Sequence, residues 1–542
     1  MRRFIQTLSL LLFSILFIFA TYRLPDWLFA DLYLRFDPLL SLNAIFAARE
    51  IIPRTLWALL TIGVTLIIGR FFCGYVCPMG VSIDLLDHFF FRKKKRENPF
   101  RFESTLRKAK YFLLIFFISA AVVGLSLAFL FDPMAFLTRF YTFFIYPVII
   151  TLINLFLDLL RPLFHQLGWI YASHLHFPQP VFYMTAITLL LFGGIILLNR
   201  WVPRFWCRYL CPLGALLSLI SPLGLLKRRV SEECNRCMRC RKVCPMGAIG
   251  ENPRETYRPE CIQCGTCSEV CPKEAVSFPI SFSIGGEYSK VDLPRRGFFY
   301  SLSGGLIAGF LALQTPFRLR RGKLQLIRPP GAIPEDEFLR TCIRCGECMK
   351  SCLTNTLQPS LWESGLSGLW TPKMDLRLAP CDQNCNVCGK VCPTQAIRSL
   401  SLEEKNHAKV GTAILRKELC LVWAQNKICL ICDEICPYNA IVFRPVEGYR
   451  RPVVIASKCN GCGYCEQRCP VSGESAIVVV PDGEIRLKEG SYQGEAKKLR
   501  LEFKPDPGDD KFILEEEGFK IEKENKPLPK TTPHPQKPKG FL

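Results

Sequence analysis

Cys234, Cys237, Cys240 and Cys244 follow the spacing Cys-x2-Cys-x2-Cys-x3-Cys with Pro245 next, and Cys261, Cys264, Cys267 and Cys271 repeat it ahead of Pro272. A loop of this spacing wraps three thiolates around one face of a cubane cluster, and the fourth cysteine reaches the neighbouring cluster. Iron–sulfur clusters take soft thiolate ligands, four to each [4Fe-4S] unit. By this crossover one cluster takes Cys234, Cys237, Cys240 and Cys271, and its partner takes Cys261, Cys264, Cys267 and Cys244. Structural zinc also accepts four thiolates, but from paired Cys-x2-Cys knuckles, and a third cysteine followed by x3-Cys-Pro is not that pattern.

Four further sets lie downstream: Cys342, Cys345, Cys348, Cys352; Cys381, Cys385, Cys388, Cys392; Cys420, Cys429, Cys432, Cys436; and Cys459, Cys462, Cys465, Cys469. Leu353 stands where the first would carry proline, and the second and third open with x3 and x8 gaps that bulge as loops. Six sets imply six [4Fe-4S] clusters. They leave Cys73, Cys77, Cys207 and Cys211 of the 28 cysteines. Each of these two pairs is spaced i and i+4, which on an α-helix places both residues on one face. Together they would ligate a seventh metal centre, cycle as redox thiols, or pack as buried apolar groups. Their recurrence in an internal repeat makes packing the weakest of the three.

Other redox chemistry has no visible footing. There is no Cys-x-x-Cys-His for covalent haem, and none of the six histidines (His88, His165, His174, His176, His407, His534) lies within an expected membrane crossing. No glycine loop cradles a nucleotide or flavin phosphate. His174 and His176 could meet a quinol head group, but read better as interface residues. The chain is therefore expected to relay electrons rather than to act as an enzyme on a substrate.

The elements that position these cysteines divide the 542 residues sharply. The chain is 49% hydrophobic with a mean hydropathy of +0.19, too apolar for an ordinary soluble protein and too charged for one wholly embedded in lipid. Tight cysteine clusters exclude a secreted disulfide scaffold. The net charge of +22 sits largely at the edges of apolar runs, as in Arg92-Lys93-Lys94-Lys95-Arg96 and Lys227-Arg228-Arg229, so it predicts a membrane rather than a nucleic acid as neighbour. Apolar runs at 4–20, 55–72, 111–131, 140–157 and 181–198 each approach the roughly 20 residues that a bilayer-crossing helix needs. Arg70-Phe71-Phe72-Cys73-Gly74-Tyr75-Val76-Cys77-Pro78-Met79-Gly80 recurs as Arg204-Phe205-Trp206-Cys207-Arg208-Tyr209-Leu210-Cys211-Pro212-Leu213-Gly214. Both copies end an apolar helix, so both should face one side, which requires an even number of crossings between them. The aromatic run 140–157, with Pro147 and Asn154, is assigned to the outer interface or a re-entrant hairpin. About four spans result, with the N-terminus and both repeats at the cytoplasmic face.

Pro294-Arg295-Arg296-Gly297-Phe298-Phe299 precedes a glycine-rich apolar run and reads as an internal twin-arginine export signal, the bland reading being a fifth membrane helix or a buried core helix. Gly305 and Gly309 make a weak case for dimerisation. The expected fold is an α-helical membrane domain plus α+β bacterial-type ferredoxin modules. It divides into a membrane domain (1–230), a two-cluster module (231–280), a linker with the export motif and a hydrophobic helix (281–334), a four-cluster domain (335–481) and a charged, distally disordered tail (482–542).

On these residues the membrane half, with its two Cys-x-x-x-Cys-Pro repeats and adjoining two-cluster module, resembles the NapH-type membrane ferredoxin subunit associated with periplasmic nitrate reductase and related to NosR-like and CcoG-like proteins. Residues 295–481 resemble the NapG/MauM-type ferredoxins, which begin with a twin-arginine signal and hold four clusters. The resemblance implies a fused electron conduit in the cell inner membrane, taking electrons from the quinone pool to an extracytoplasmic reductase, such as a nitrate-reductase-like enzyme, or to a c-type cytochrome. It also implies that the downstream sets pair first with fourth and second with third. The CcoG-like relatives imply an alternative, a metal reductase or assembly factor working through Cys73, Cys77, Cys207 and Cys211. A redox-sensing regulator is disfavoured, since a sensor rarely needs six centres.

Overall fold

The computed structural model describes residues 2–503 apart from 22–23, 26, 92–102, 282–290, 315–325, 362 and 364. The basic run Arg92 to Arg96 and the distal tail from 504 lie outside the described residues. Five helices run between two cysteine-rich parts, and contacts at their ends fix the arrangement. Arg2–Phe19 starts beside the first module, where Arg2 donates to Thr266 Oγ1 at 3.2 Å, and ends against the C-terminal one, where the Lys350 ammonium donates to the Ile18 and Ala20 carbonyls at 2.9 Å. Glu103–Val123 starts where Arg107 donates to the Gly247 carbonyl at 3.0 Å and ends where Arg344 donates to the Ser126 carbonyl. Ala58–Ile68 and Thr185–Asn199 run the other way. Arg54 donates to the Cys392 carbonyl at 3.2 Å just before the first, and Tyr183 bonds Asp375 at 2.5 Å just before the second. Their far ends meet the first module and the repeats: the Ile67 carbonyl accepts from Leu225 and Leu226, and Arg204 donates to the Cys73 carbonyl at 3.1 Å. At 1.5 Å per residue the 18- and 21-residue helices span about 27 and 31 Å.

The fifth helix, Arg295–Gln314, lies along Glu103–Val123 in the same direction. Gly297 faces Phe112, Gly305 faces Phe116 and Ser119, and Gly309 faces Val123. A Cβ on Gly305 would overlap Ser119 Oγ and the Phe116 carbonyl oxygen. The Gly-x-x-x-Gly pair thus serves close backbone packing within the chain, where the sequence offered dimerisation as a weak reading.

Two described helices are long and apolar enough to cross a membrane, Arg2–Phe19 and Pro133–Gln166. Of the four expected spans, only the first is among them. Pro53–Ile68 is shortened by Gly69, whose φ of 83° ends it, and Thr185–Asn199 is equally short. Glu103–Val123 carries Glu103, Arg107, Lys108 and Lys110 in its first turns. The run 140–157 is not a hairpin but part of one continuous 34-residue helix. A π turn at Tyr141–Ile145 stands ahead of Pro147 and relieves the backbone bond that the proline cannot make. Its neighbourhood still begins and returns at one place. Thr142 lies against Gly346, and after a return strand held by Asn154, whose side chain bonds both backbone groups of Phe177, the Val181 carbonyl accepts from Asn355 and Gln358.

The cysteine-rich parts are small α+β units with two-stranded antiparallel ribbons: Arg229–Val230 with Val276–Ser277, Leu357–Pro359 with Pro372–Met374, Thr412–Leu415 with Ile477–Val480, and Ile441–Val446 with Tyr449–Val454. The C-terminal part reaches beyond 481. Tyr492 is fully buried, and its backbone N–H donates to Glu404 at 2.6 Å, so the first twenty residues beyond 481 belong to the folded part.

The first module is bound to the helices by a buried ion cluster. Lys110 donates to both Glu260 carboxylate oxygens at 2.6 Å and Arg70 to one at 3.1 Å, with all three side chains at most 1% exposed. Burial alone would raise the Glu260 pKa, but Lys110 and Arg70 hold it below the ordinary carboxylate value. Glu260→Gln leaves two buried cations without their anion and should cost about 3–5 kcal/mol, read as a lower denaturant midpoint. Gly305→Val should separate 295–314 from 103–123, read as lost hydrogen-exchange protection in both helices with the ferredoxin ribbons still protected.

Candidate iron–sulfur centres

Four cysteine sets share one backbone solution. The residue before the second cysteine and the residue after it both take positive φ: Arg236 and Met238, Gln263 and Gly265, Arg344 and Gly346, Gly461 and Gly463. Left-handed residues at these two points curl the chain so that successive thiols face one hollow. Three residues after the fourth cysteine the backbone turns left again, at Gly247, Glu274, Asn355, Gln395 and Asn439. Asn355 keeps this turn behind Cys352 although Leu353 replaces proline, and Leu353 itself is exposed.

The sets cross over in pairs. Cys244 joins Cys261, Cys264 and Cys267 around one hollow, as the spacing predicts. Cys436 joins Cys459, Cys462 and Cys465 around a second, and Cys469 joins Cys420, Cys429 and Cys432 around a third. Cys392 lies with Cys342, Cys345 and Cys348, while Cys352 lies with Cys381, Cys385 and Cys388. The downstream sets therefore pair first with second and third with fourth. This corrects the pairing that the resemblance implied. The physical reason is contact order: each fourth cysteine opens a turn that folds back onto the set nearest in sequence, and the x3 and x8 gaps are absorbed in loops.

The thiol sites suit a polynuclear cluster. In a cubane each thiolate binds a different iron, so the sulfurs stand farther apart than around zinc. Burial pushes Cys342 up to about 11 and Cys261 and Cys432 up to about 12, so iron loading must displace protons from them. Cys469 goes the other way: burial is outweighed by Ser475 and by backbone N–H groups of Val471, Ala476 and Ile477. Backbone N–H groups also reach sulfur at Cys244 (3.3 Å from Ala248), Cys436 (3.3 Å from Ala440) and Cys459 (3.4 Å from Ala413), contacts that raise the potential of a bound cluster.

Cys381 donates its N–H to the Cys462 carbonyl at 2.8 Å, which joins the two downstream pairs. The Cys342 set faces the helices through Gly346, whose added Cβ would lie 3.5 Å from Arg139 Cγ. The Cys420 set lies at the other end, beside Ile428, which is 95% exposed. Cys73, Cys77, Cys207 and Cys211 are all buried and within electrostatic reach of one another. They are not on α-helical faces as their i, i+4 spacing predicts. Phe72–Val76 and Trp206–Leu210 are π turns, and Cys77 and Cys211 leave the helix in extended conformation because proline follows each. His174 and His176 are exposed, and His174 packs edge-on against His165 rather than around a cavity.

Comparison with known proteins agrees with these sites. Family models described as a 4Fe-4S dicluster domain match residues 226–272 and 427–472, and one described as a 4Fe-4S binding domain matches 53–98 and 184–231. The chain is 38% identical over 170 residues to the methylamine utilization ferredoxin-type protein MauM of Methylorubrum extorquens, covering 30% of this chain and 75% of that protein. It is 36% identical over 190 residues to the ferredoxin-type protein NapG of Escherichia coli, covering 33% of this chain and 80% of NapG. The chain belongs to the MauM/NapG family of ferredoxin-type proteins. The ferredoxin-type protein NapF of Escherichia coli is also similar, 33% identical over 152 residues that cover 28% of this chain and 84% of NapF. No solved structure matches. This MauM/NapG relative is accordingly an iron–sulfur electron-transfer protein, and the MauM/NapG-type match accounts for about a third of it.

Sequence reading singled out sulfur and passed over the cations that anchor it. Arg70 and Arg204 occupy the same position in both repeats and were legible as such. Arg54, Arg139 and Arg344 lie near the Cys392 and Cys342 loops with no spacing signal that marks them. Cys342→Ser and Cys392→Ser should each remove one cluster's iron and sulfide, and the double variant no more than either alone. Cys342→Ser with Cys469→Ser should remove two.

Proposed function

We propose that the chain is a membrane-anchored conduit, a NapH–NapG-type fusion that relays electrons from quinol through six [4Fe-4S] clusters to an acceptor on the far side. The observation that carries this reading is the placement of the two ferredoxin parts at opposite ends of helices about 27–31 Å long. A bilayer's hydrocarbon core is about 30 Å thick. The outward faces of these helices are apolar: Leu8, Leu11, Ile18, Leu59, Leu60 and Leu190 are all more than half exposed. Exposed apolar surface on that scale is unusual for a soluble monomer.

Arg2, Arg3, Arg107, Lys108, Arg200 and Lys227-Arg228-Arg229 belong to the end that holds the two-cluster module, and this excess of basic residues supports a cytoplasmic location for it, as in retained loops. Arg295 and Arg296 open the fifth helix at this same end, so the helix carries the chain to the outside and the twin-arginine motif serves export of the four-cluster domain. The thiolate sets give bound clusters their one-electron chemistry. The protein positions them in a file, from the Cys234 and Cys261 sets at one end to the Cys342, Cys381, Cys459 and Cys420 sets at the other. At the far end Ile428 offers an apolar contact beside Cys429 to an extracytoplasmic reductase or c-type cytochrome.

Protease added to sealed inside-out membrane vesicles should cleave the two-cluster module and spare residues 326–503, and the opposite pattern should hold in right-side-out vesicles. Cleavage of both parts from one side would refute the topology. In the same membranes Cys342→Ser should stop quinol-driven reduction of the distal sets.

A further inference from the structure

The two repeats meet as reciprocal halves. Arg204 of the second repeat donates to the Cys73 carbonyl of the first at 3.1 Å, and Arg70 of the first reaches Gly214 of the second, where an added Cβ would lie 2.9 Å from its Nη2. Cys77 and Cys211 stand in equivalent places at helix N-termini, accepting from the Gly80 and Gly214 N–H groups at 3.5 and 3.2 Å. Neither segment of the matching 4Fe-4S binding domain holds more than two of these cysteines. The structure supplies four by joining them. A second observation points to an anionic occupant: Arg70 is wholly buried, yet its Nε and Nη2 have no hydrogen-bond partner among the described residues. Nη2 and Cys211 Sγ border the same Gly214 Cβ position, at 2.9 and 3.4 Å from it.

We propose that Cys73, Cys77, Cys207 and Cys211 together hold one further iron–sulfur cluster at the junction of the repeats, and that it passes electrons between the Cys261 and Cys342 sets. The site stands on its own geometry; the direction of flow rests on the conduit reading above. On one side Gly74, between Cys73 and Cys77, touches the Cys261 loop: a Cβ there would lie 2.6 Å from the Ile262 carbonyl oxygen. On the other side Trp206 adjoins Cys207 and packs on Phe136 with ring centroids 5.5 Å apart. The Arg139 guanidinium lies 5.8 Å from the Phe136 ring and 4.8 Å from the Trp370 ring, and its Cγ reaches Gly346 beside Cys345. Trp206, Phe136 and Arg139 are each under 5% exposed, so the path is packed protein throughout. Each passage reduces the centre by one electron and reoxidises it, with no bond made or broken and no proton taken up.

The test is iron and acid-labile sulfide per chain in anaerobically purified full-length protein, with Mössbauer spectra of iron-57-enriched material. The expected result is one cluster's worth beyond the six ferredoxin sets, lost in Cys73→Ser and Cys211→Ser while the electron paramagnetic resonance signals of the other six persist. Wild-type protein with iron for six clusters only, and four thiols open to alkylation in the native state, overturns the site; this needs no variant to fold. Trp206→Leu should keep all the iron and slow electron passage from the Cys261 set to the Cys342 set. An unchanged rate overturns the path. Failure of quinol-driven reduction with the extra iron present would count against the conduit reading and not against this site.

Discussion

Electron tunnelling decays exponentially with distance, so a protein that carries electrons must leave no wide gap between one carrier and the next. The pairing of the cysteine sets answers to that constraint. Within each ferredoxin pair the fourth cysteine of one set completes its neighbour, which forces two clusters to be adjacent. The Cys381–Cys462 backbone bond joins the downstream pairs. Between the two cysteine-rich parts the repeats bring four buried thiols together, beside the Trp206–Phe136 ring pair.

Burial makes this file costly to assemble, and the chain compensates with cations. Arg70 and Lys110 hold Glu260, Arg204 holds Asp84, Arg328 and Arg486 hold Glu335, and Lys350 caps the end of the first helix. Glu335 shows the balance: burial alone would raise its pKa, yet the two guanidinium groups bring it down to about 2. The Glu260 and Lys350 contacts tie the cysteine-rich parts to the helices. Displacing the Cys261 loop from the helices would break the buried Glu260 ion cluster beside it.

The ferredoxin loops were legible because their chemistry is local. Cys-x2-Cys spacing, the left-handed residues at Gly265, Gly346 and Gly463, and the turn after five of the six fourth cysteines are all written within a dozen residues. The crossover partners of Cys342 and Cys392 were less so, because the choice among downstream sets depends on how the intervening ribbons fold. The i, i+4 spacing does not put the repeat cysteines on α-helical faces, because Pro78 and Pro212 push Cys77 and Cys211 to extended backbone and the turns ahead of them are π turns. The run 140–157, expected at the outer interface or in a re-entrant hairpin, is instead part of one helix, because the widened turn ahead of Pro147 lets it continue. Gly305 and Gly309 signalled close helix packing correctly, but composition alone could not say that the partner was the chain's own 103–123 helix.

The most direct test confines the reductant to one side. Dithionite added outside sealed inside-out vesicles reaches only the two-cluster module, and the visible absorbance of the iron–sulfur clusters reports how many centres respond. The account predicts bleaching of the four-cluster domain as well, lost when Cys342 is replaced. Bleaching limited to the centres of the two-cluster module would contradict it.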